Sequence, residues 1–159
     1  MTNPYSKPVA LLFALALGCA PARSDNGGRT LFKLGPVSFG TLLESEIASG
    51  CGCAFRSPKQ VEGIDYLLQW ELEEPATMFV NGEVVRLKVE TSPFYAKRIG
   101  EKSDIKLSSP TVSARGSMTS TWVCPRKQES CELSRFKGQL SVQTPKGRAI
   151  LPLVGYCGC

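Results

Sequence analysis

The chain has 159 residues and a formal net charge of +5, with 19 lysines and arginines, 14 acidic residues and no histidine. The absence of histidine excludes Ser-His-Asp and Cys-His catalysis, histidine-ligated zinc and type 1 copper sites. The cationic residues are scattered rather than grouped in a run, so we expect no nucleic-acid partner. Seven cysteines remain as the distinctive feature of the composition.

The first 22 residues have the pattern of a secretory signal peptide. A polar segment with one charge, Lys7, precedes an apolar run over residues 9–17 and then a group of small residues. This run is too short to span a bilayer, which requires about 20 apolar residues. We therefore predict a signal peptide over 1–22, a flexible tether over 23–29 and a single β-domain over 30–159.

Two processing sites compete at the end of this leader. Residues 15–19 read Leu-Ala-Leu-Gly-Cys and resemble a bacterial lipobox, although Ala16 stands where leucine is usual. The resemblance implies that Cys19 is lipidated and that cleavage precedes it. Residues 20–22 read Ala-Pro-Ala and fit ordinary cleavage after Ala22. We expect an exported protein, either a lipoprotein of the bacterial cell envelope or a periplasmic or secreted one, with membrane contact through a lipid anchor only.

The start of the domain gives weak signals for secondary structure. Residues 29–40 alternate loosely and are interrupted at Gly35, which predicts a short irregular strand or an extended arm. Thr41 and Glu44 have the spacing of a capping box and predict a short helix ending at Gly50, with a strand as the alternative.

The centre of the chain predicts β-structure more clearly. Residues 68–72 alternate, with Leu68, Trp70 and Leu72 expected inside and the residues between them in water. Asn81-Gly82 stands between two apolar runs and predicts a hairpin with a type I′ turn.

The remainder of the chain predicts further strands separated by turns. We expect short strands over 104–107 and 111–115, an apolar strand at 122–124, and a final hairpin that turns at 145–147. Many short strands with regular turns favour an all-β fold, namely a single antiparallel β-sandwich or small barrel.

Two Cys-Gly-Cys units, at 51–53 and at 157–159, are expected to organise this domain. Residues i and i+2 of a strand point to the same face, so each unit presents two sulfurs together. Six cysteines remain once Cys19 is set aside, and an even number in an exported chain indicates a disulfide framework. The number of cysteines alone leaves 15 possible pairings open. Antiparallel neighbouring strands would favour the bridges Cys51–Cys159 and Cys53–Cys157. Parallel strands would instead favour Cys51–Cys157 and Cys53–Cys159.

The other cysteines, Cys124 and Cys131, are close in sequence and predict a local clip on a hairpin loop. The same four sulfurs of Cys51, Cys53, Cys157 and Cys159 also allow two alternatives. They could form a thiolate site for zinc or copper(I), or one unit could act in thiol-disulfide exchange. We expect no cofactor and, on the disulfide interpretation, no metal.

Evidence for catalysis in the sequence is slight. The Ser-x-x-Lys spacing occurs at Ser103–Lys106 and again at Ser134–Lys137, without the companion motifs that accompany it in penicillin-binding enzymes. We therefore expect no catalytic residues and a non-enzymatic domain with a binding or structural role. Its partner would be a protein or another component of the envelope.

Overall fold

The computed structural model describes residues 29–60, 65–125 and 131–159, which contain ten β-strands. The predicted signal peptide, Cys19 and tether residues 23–28 lie outside the described residues. The strands are β1 (Leu31–Leu34), β2 (Val37–Gly40), β3 (Gly52–Arg56), β4 (Leu68–Glu71), β5 (Ala76–Val80), β6 (Glu83–Thr91), β7 (Lys102–Ser108), β8 (Ser113–Val123), β9 (Leu133–Thr144) and β10 (Gly147–Gly158).

The eight strands β3 to β10 form a closed antiparallel barrel, which confirms the all-β prediction and selects the barrel over the sandwich. Their order around the barrel is β5-β4-β3-β10-β9-β8-β7-β6, and β6 closes the ring by pairing with β5. Apart from the pairing of β3 with β10, neighbours in the ring are also neighbours in the chain. Closure satisfies the main-chain groups that an open sheet would leave at its edges.

The hairpin β1–β2 extends the sheet where β4 is too short to cover β5. Phe39 and Gly40 of β2 pair with β5 beyond the end of β4. Asn81 fixes this arrangement from the predicted β5–β6 turn, where its φ is 55°. Its side-chain oxygen accepts the backbone N–H of Ser38 at 3.1 Å, and its amide nitrogen donates to Thr144 Oγ1 at 3.2 Å. The Asn-Gly turn therefore also joins the added hairpin to the β9–β10 turn.

The barrel interior is filled by alternate side chains of the strands. The largest fully buried ones include Phe39, Phe55, Phe136, Met78, Met118, Leu87, Leu107, Leu140 and Leu151. The long strands β8, β9 and β10 each carry a glycine, respectively Gly116, Gly138 and Gly155, where an added Cβ would overlap a carbonyl oxygen of the neighbouring strand. Glycine is therefore required where these strands approach each other so closely.

Two sequence expectations near the start of the domain need correction. The short helix is reduced to a single 3-10 turn over Glu44–Glu46. The Thr41–Glu44 capping box does not form, because Thr41 Oγ1 accepts the N–H of Thr30 while Glu46 accepts the N–H of Leu43. The extended arm proves to be the β1–β2 hairpin, with Gly35 in its turn at φ 61°.

The alternation around β4 is only partly as expected. Leu68 and Trp70 are buried, but Gln69 is buried as well and Leu72 is 49% exposed. Burial of Gln69 is explained by its amide, which exchanges two hydrogen bonds with the backbone of Ala48. Leu72 lies beyond the last residue of β4, so strand alternation no longer determines its direction.

Candidate functional site: the stapled end of the barrel

The two Cys-Gly-Cys units meet across the pairing of β3 with β10. Cys53 stands opposite Cys157 in an antiparallel register, with Gly52 opposite Gly158. The structure contains an inner bridge, Cys53–Cys157, with a Cα separation of 4.0 Å, and an outer bridge, Cys51–Cys159, with 4.3 Å. These are the two pairings that antiparallel strands predict. We call the end of the barrel that carries them the stapled end.

The glycine within each Cys-Gly-Cys unit is required by the strands on either side. A Cβ on Gly52 would overlap the carbonyl oxygen of Trp70 on β4, and one on Gly158 would overlap that of Glu132 beside β9. Gly158 also has a φ of 150°, which side-chain-bearing residues rarely adopt. The motif therefore combines two cross-linking positions with a middle position where only glycine fits.

The β6–β7 connection, residues 92–101, crosses the stapled end. The carbonyl oxygen of Pro93 lies 3.2 Å from Cys53 Sγ, and the N–H of Ala96 donates to Ser134 Oγ at 3.2 Å. Phe94 packs against the core. Since these contacts reach β3 and then β9, the segment forms a cover over the inner bridge.

The cover makes the two bridges chemically unequal. Cys53 and Cys157 are about 1% and 0% exposed, whereas Cys159 is exposed and Cys51 partly so. A thiol in solution can therefore reach the outer bridge but not the inner one without displacing residues 92–101. Both bridges join one Cys-Gly-Cys unit to the other. The exchange alternative instead requires a bond between the two cysteines of a single unit. Thiolate ligation of zinc or copper(I) would require both bridges to be reduced first.

A third bridge, the local bridge Cys124–Cys131, spans the β8–β9 connection at the same end, with a Cα separation of 5.7 Å. It is the pairing that the sequence predicts. The N–H of Leu133 donates to Cys124 Sγ at 3.1 Å, which ties the bridge to the start of β9.

An open groove of about 180 Å³ lies on the outer surface of β3, β10 and β9. Tyr66 and Tyr156 stand beside each other there, with their hydroxyl oxygens 3.0 Å apart and their rings edge to face. Arg56, Arg135 and Lys137 add cationic side chains to its lining. No sequence pattern indicates this groove, since its residues come from distant parts of the chain that only the β3–β10 pairing brings together.

The two Ser-x-x-Lys pairs, for which the sequence analysis predicts no catalytic role, lie on β-strands. In a strand, residues three apart point to opposite faces. Ser134 is accordingly buried on β9 and accepts the N–H of Ala96, whereas Lys137 is exposed on the outer surface. Ser103 and Lys106 have the same spacing within β7.

One nearly buried ion pair lies away from the stapled end. Arg29 pairs with Glu46, donates to the carbonyl oxygen of Thr41 at 2.8 Å, and lies over the ring of Phe79 at 4.2 Å. The hydrogen bond from the Arg29 guanidinium lowers the pKa of the Glu46 carboxyl below its usual value. Arg29, which the sequence analysis assigns to the tether, is thus held against the barrel.

No family model matches the chain, and neither the curated proteins nor the solved structures offer a significant relative. Among residues 29–60, 65–125 and 131–159, no helix is long and apolar enough to cross a membrane.

Proposed function

We propose that the protein is an exported, envelope-anchored domain that binds a protein or another envelope component and has no catalytic activity of its own. Three disulfides indicate an oxidising compartment, either extracellular or periplasmic. The observation that carries the binding role is the filled and stapled barrel. Because side chains occupy its interior, a ligand would be bound on the outer surface.

The groove over β3, β10 and β9 is the surface best suited to that role. It combines the paired rings of Tyr66 and Tyr156 with cationic side chains, and tyrosine and arginine are enriched where proteins bind each other. The strands beneath it are fixed by the inner and outer bridges, so little conformational entropy would be lost there on binding.

Site-specific photocrosslinking tests the binding role. A photoreactive residue at Lys137 in the groove should give a discrete adduct in envelope extract, and the same residue at Lys33 on β1 should not. Adducts of equal yield at both positions, or none at the groove, would count against the groove as the binding surface.

An activity panel tests the non-enzymatic part of the proposal. We expect no peptidase, esterase or thiol oxidoreductase turnover by the purified protein. A metal-free activity that a single substitution abolishes would end this part of the proposal.

The anchor rests on the lipobox-like residues 15–19 and is tested by the intact mass of the mature protein. An acylated N-terminal Cys19 is expected, and Cys19→Ser should release the domain or leave its precursor unprocessed. A mature N-terminus at Arg23 without acyl mass would end the lipoprotein assignment.

A further inference from the structure

The cover segment presents an isoleucine to solvent on a well-fixed turn. Ile99 is 65% exposed, and Gly100 after it has a φ of 86°, the geometry of a type II turn. The buried hydroxyl of Ser120 donates to the carbonyl oxygen of Arg98 at 2.6 Å and accepts the N–H of Glu101 at 3.1 Å. The N–H of Gly100 also donates to the carbonyl oxygen of Ser120 at 2.9 Å. The turn is therefore held against β8.

The neighbourhood of Ile99 at the stapled end is amphipathic. Two further large exposed side chains, Tyr95 and Trp122, are 50% and 37% exposed. Trp122 lies two residues beyond Ser120, the anchor of the turn. Among the described residues of the β6–β7 connection and the start of β7, the exposed cationic ones are Lys97, Arg98 and Lys102. We call this set the rim: Tyr95, Lys97, Arg98, Ile99, Lys102 and Trp122.

The carboxylates near the rim offset part of its charge. Glu101 accepts the N–H of Lys97 at 2.8 Å, so its carboxylate is engaged with the turn itself. Glu132 stands beside the hydroxyl of Tyr95 at 3.5 Å. Asp104, two residues beyond Lys102 on the same exposed face of β7, is a third carboxylate. The exposed Arg135 and Lys137 of β9 lie opposite Trp122 and Thr119 and add two cations. Among the described residues of this region, five cations therefore accompany three carboxylates.

We propose that the rim is a second membrane contact, which rests on an anionic lipid surface and inserts Ile99 into it. An exposed isoleucine on a turn, flanked by lysine and arginine, fits the interface of a bilayer, where apolar atoms enter the acyl boundary and cations meet anionic headgroups. Tyrosine and tryptophan are favoured at the same depth. The contact would hold the stapled end against the membrane independently of the lipid anchor.

Vesicle binding by residues 23–159, which contain every described strand but not Cys19, tests this contact without the anchor. We expect the protein to co-sediment with vesicles containing phosphatidylglycerol at low salt, weakly with pure phosphatidylcholine, and to be released from the anionic vesicles as salt rises. The emission of Trp122 should shift to the blue on binding, since the other tryptophan, Trp70, is already buried.

Substitutions at the rim should weaken binding without unfolding the barrel. Ile99→Ser should reduce partitioning about tenfold. Replacing both Lys97 and Arg98 by alanine should reduce partitioning about twenty-five-fold, at about fivefold for each charge near an anionic surface.

Matched controls come from the opposite end of the barrel. Ile150→Ser removes a side chain that is 46% exposed on β10, and the pair Lys146→Ala with Arg148→Ala removes the same charge as the rim double variant. Both control variants should partition within about twofold of the wild-type protein, since neither changes a residue of the rim. Circular dichroism checks that each variant is folded.

The membrane contact is refuted if the protein does not bind anionic vesicles at low salt, or if Ile99→Ser does not change partitioning. It is also refuted if the control variants lose as much partitioning as the rim variants. A rim that binds a protein instead would give the first of these results. Photocrosslinking at the groove does not depend on vesicle binding. The proposed binding role of the groove and the proposed membrane contact of the rim can therefore be refuted separately.

Discussion

Removing the inner and outer bridges one at a time and then together should give losses of stability that do not add. Their sequence separations are 104 and 108, so each closes a loop of over 100 residues. A single link of that length restricts the unfolded chain by about 4.7 kcal/mol. With one bridge in place, the second closes a ring of only about six residues, worth about 2 kcal/mol. Loss of either bridge should therefore cost about 2 kcal/mol, and loss of both about 7 kcal/mol.

Packing makes the loss of stability larger for one bridge than for the other. The sulfurs of the inner bridge belong to the buried core, whereas the outer bridge is partly in water. Alanine at Cys53 and Cys157 leaves a cavity among core side chains, which should add roughly 1–3 kcal/mol to the entropic loss. The inner pair should therefore be the more costly of the two to replace.

Urea unfolding followed by circular dichroism measures these differences by linear extrapolation. If the four-alanine variant is unfolded in buffer, the series is repeated in trimethylamine N-oxide, which favours the folded state. The local bridge, with a separation of 7, serves as the control. The loss of stability from removing the local bridge should add to that from removing the inner or the outer bridge, within about 0.5 kcal/mol. Single losses of the inner and outer bridges that sum to the double loss would refute this reasoning.

Three substitutions elsewhere test other parts of the structure by the same unfolding assay. Asn81→Ala should cost about 2–3 kcal/mol, because it removes two hydrogen bonds and places alanine at positive φ; a loss below 1 kcal/mol would contradict this role. Gly138→Ala should cost about 1–3 kcal/mol, since its Cβ would overlap the backbone of β8, and an unchanged stability would show that β8 and β9 can separate freely. Glu46→Gln should flatten the acid side of the stability profile. The folded pKa of Glu46 lies below its unfolded value of about 4.3, so its contribution is present above that pH and is lost as pH falls through the folded pKa. An acid limb that is identical in wild type and variant would contradict the assigned ion pair with Arg29.

The sequence predicts the parts of this structure that depend on neighbouring residues. The turn at Asn81 follows from the need for positive φ, which Asn-Gly meets locally. Strand alternation likewise predicts that Leu87 is buried and that Arg86 and Lys88 are exposed. The Cys-Gly-Cys pairing could be predicted because antiparallel register places i and i+2 on equivalent sites.

Features that depend on distant pairing could not be predicted in this way. Barrel closure requires β3 to meet β10, the one pairing in the ring between strands that are distant in the chain, and no local pattern encodes that choice over a sandwich. The groove follows from that closure, since Tyr66 and Tyr156 are 90 residues apart. The cover formed by residues 92–101 has no periodic pattern because its order comes from single hydrogen bonds to Ser120 and Ser134.

Peptide mapping without reduction tests the cross-linked end of the barrel most directly. Trypsin cuts after lysine and arginine, so Cys51 and Cys53 fall in a peptide of residues 34–56, and Cys157 and Cys159 in one of residues 149–159. We expect these two peptides to be recovered as one species joined by two bonds, with fragmentation placing Cys53 on Cys157 and Cys51 on Cys159. Recovery of residues 34–56 linked only to itself, or with free thiols, would contradict the account.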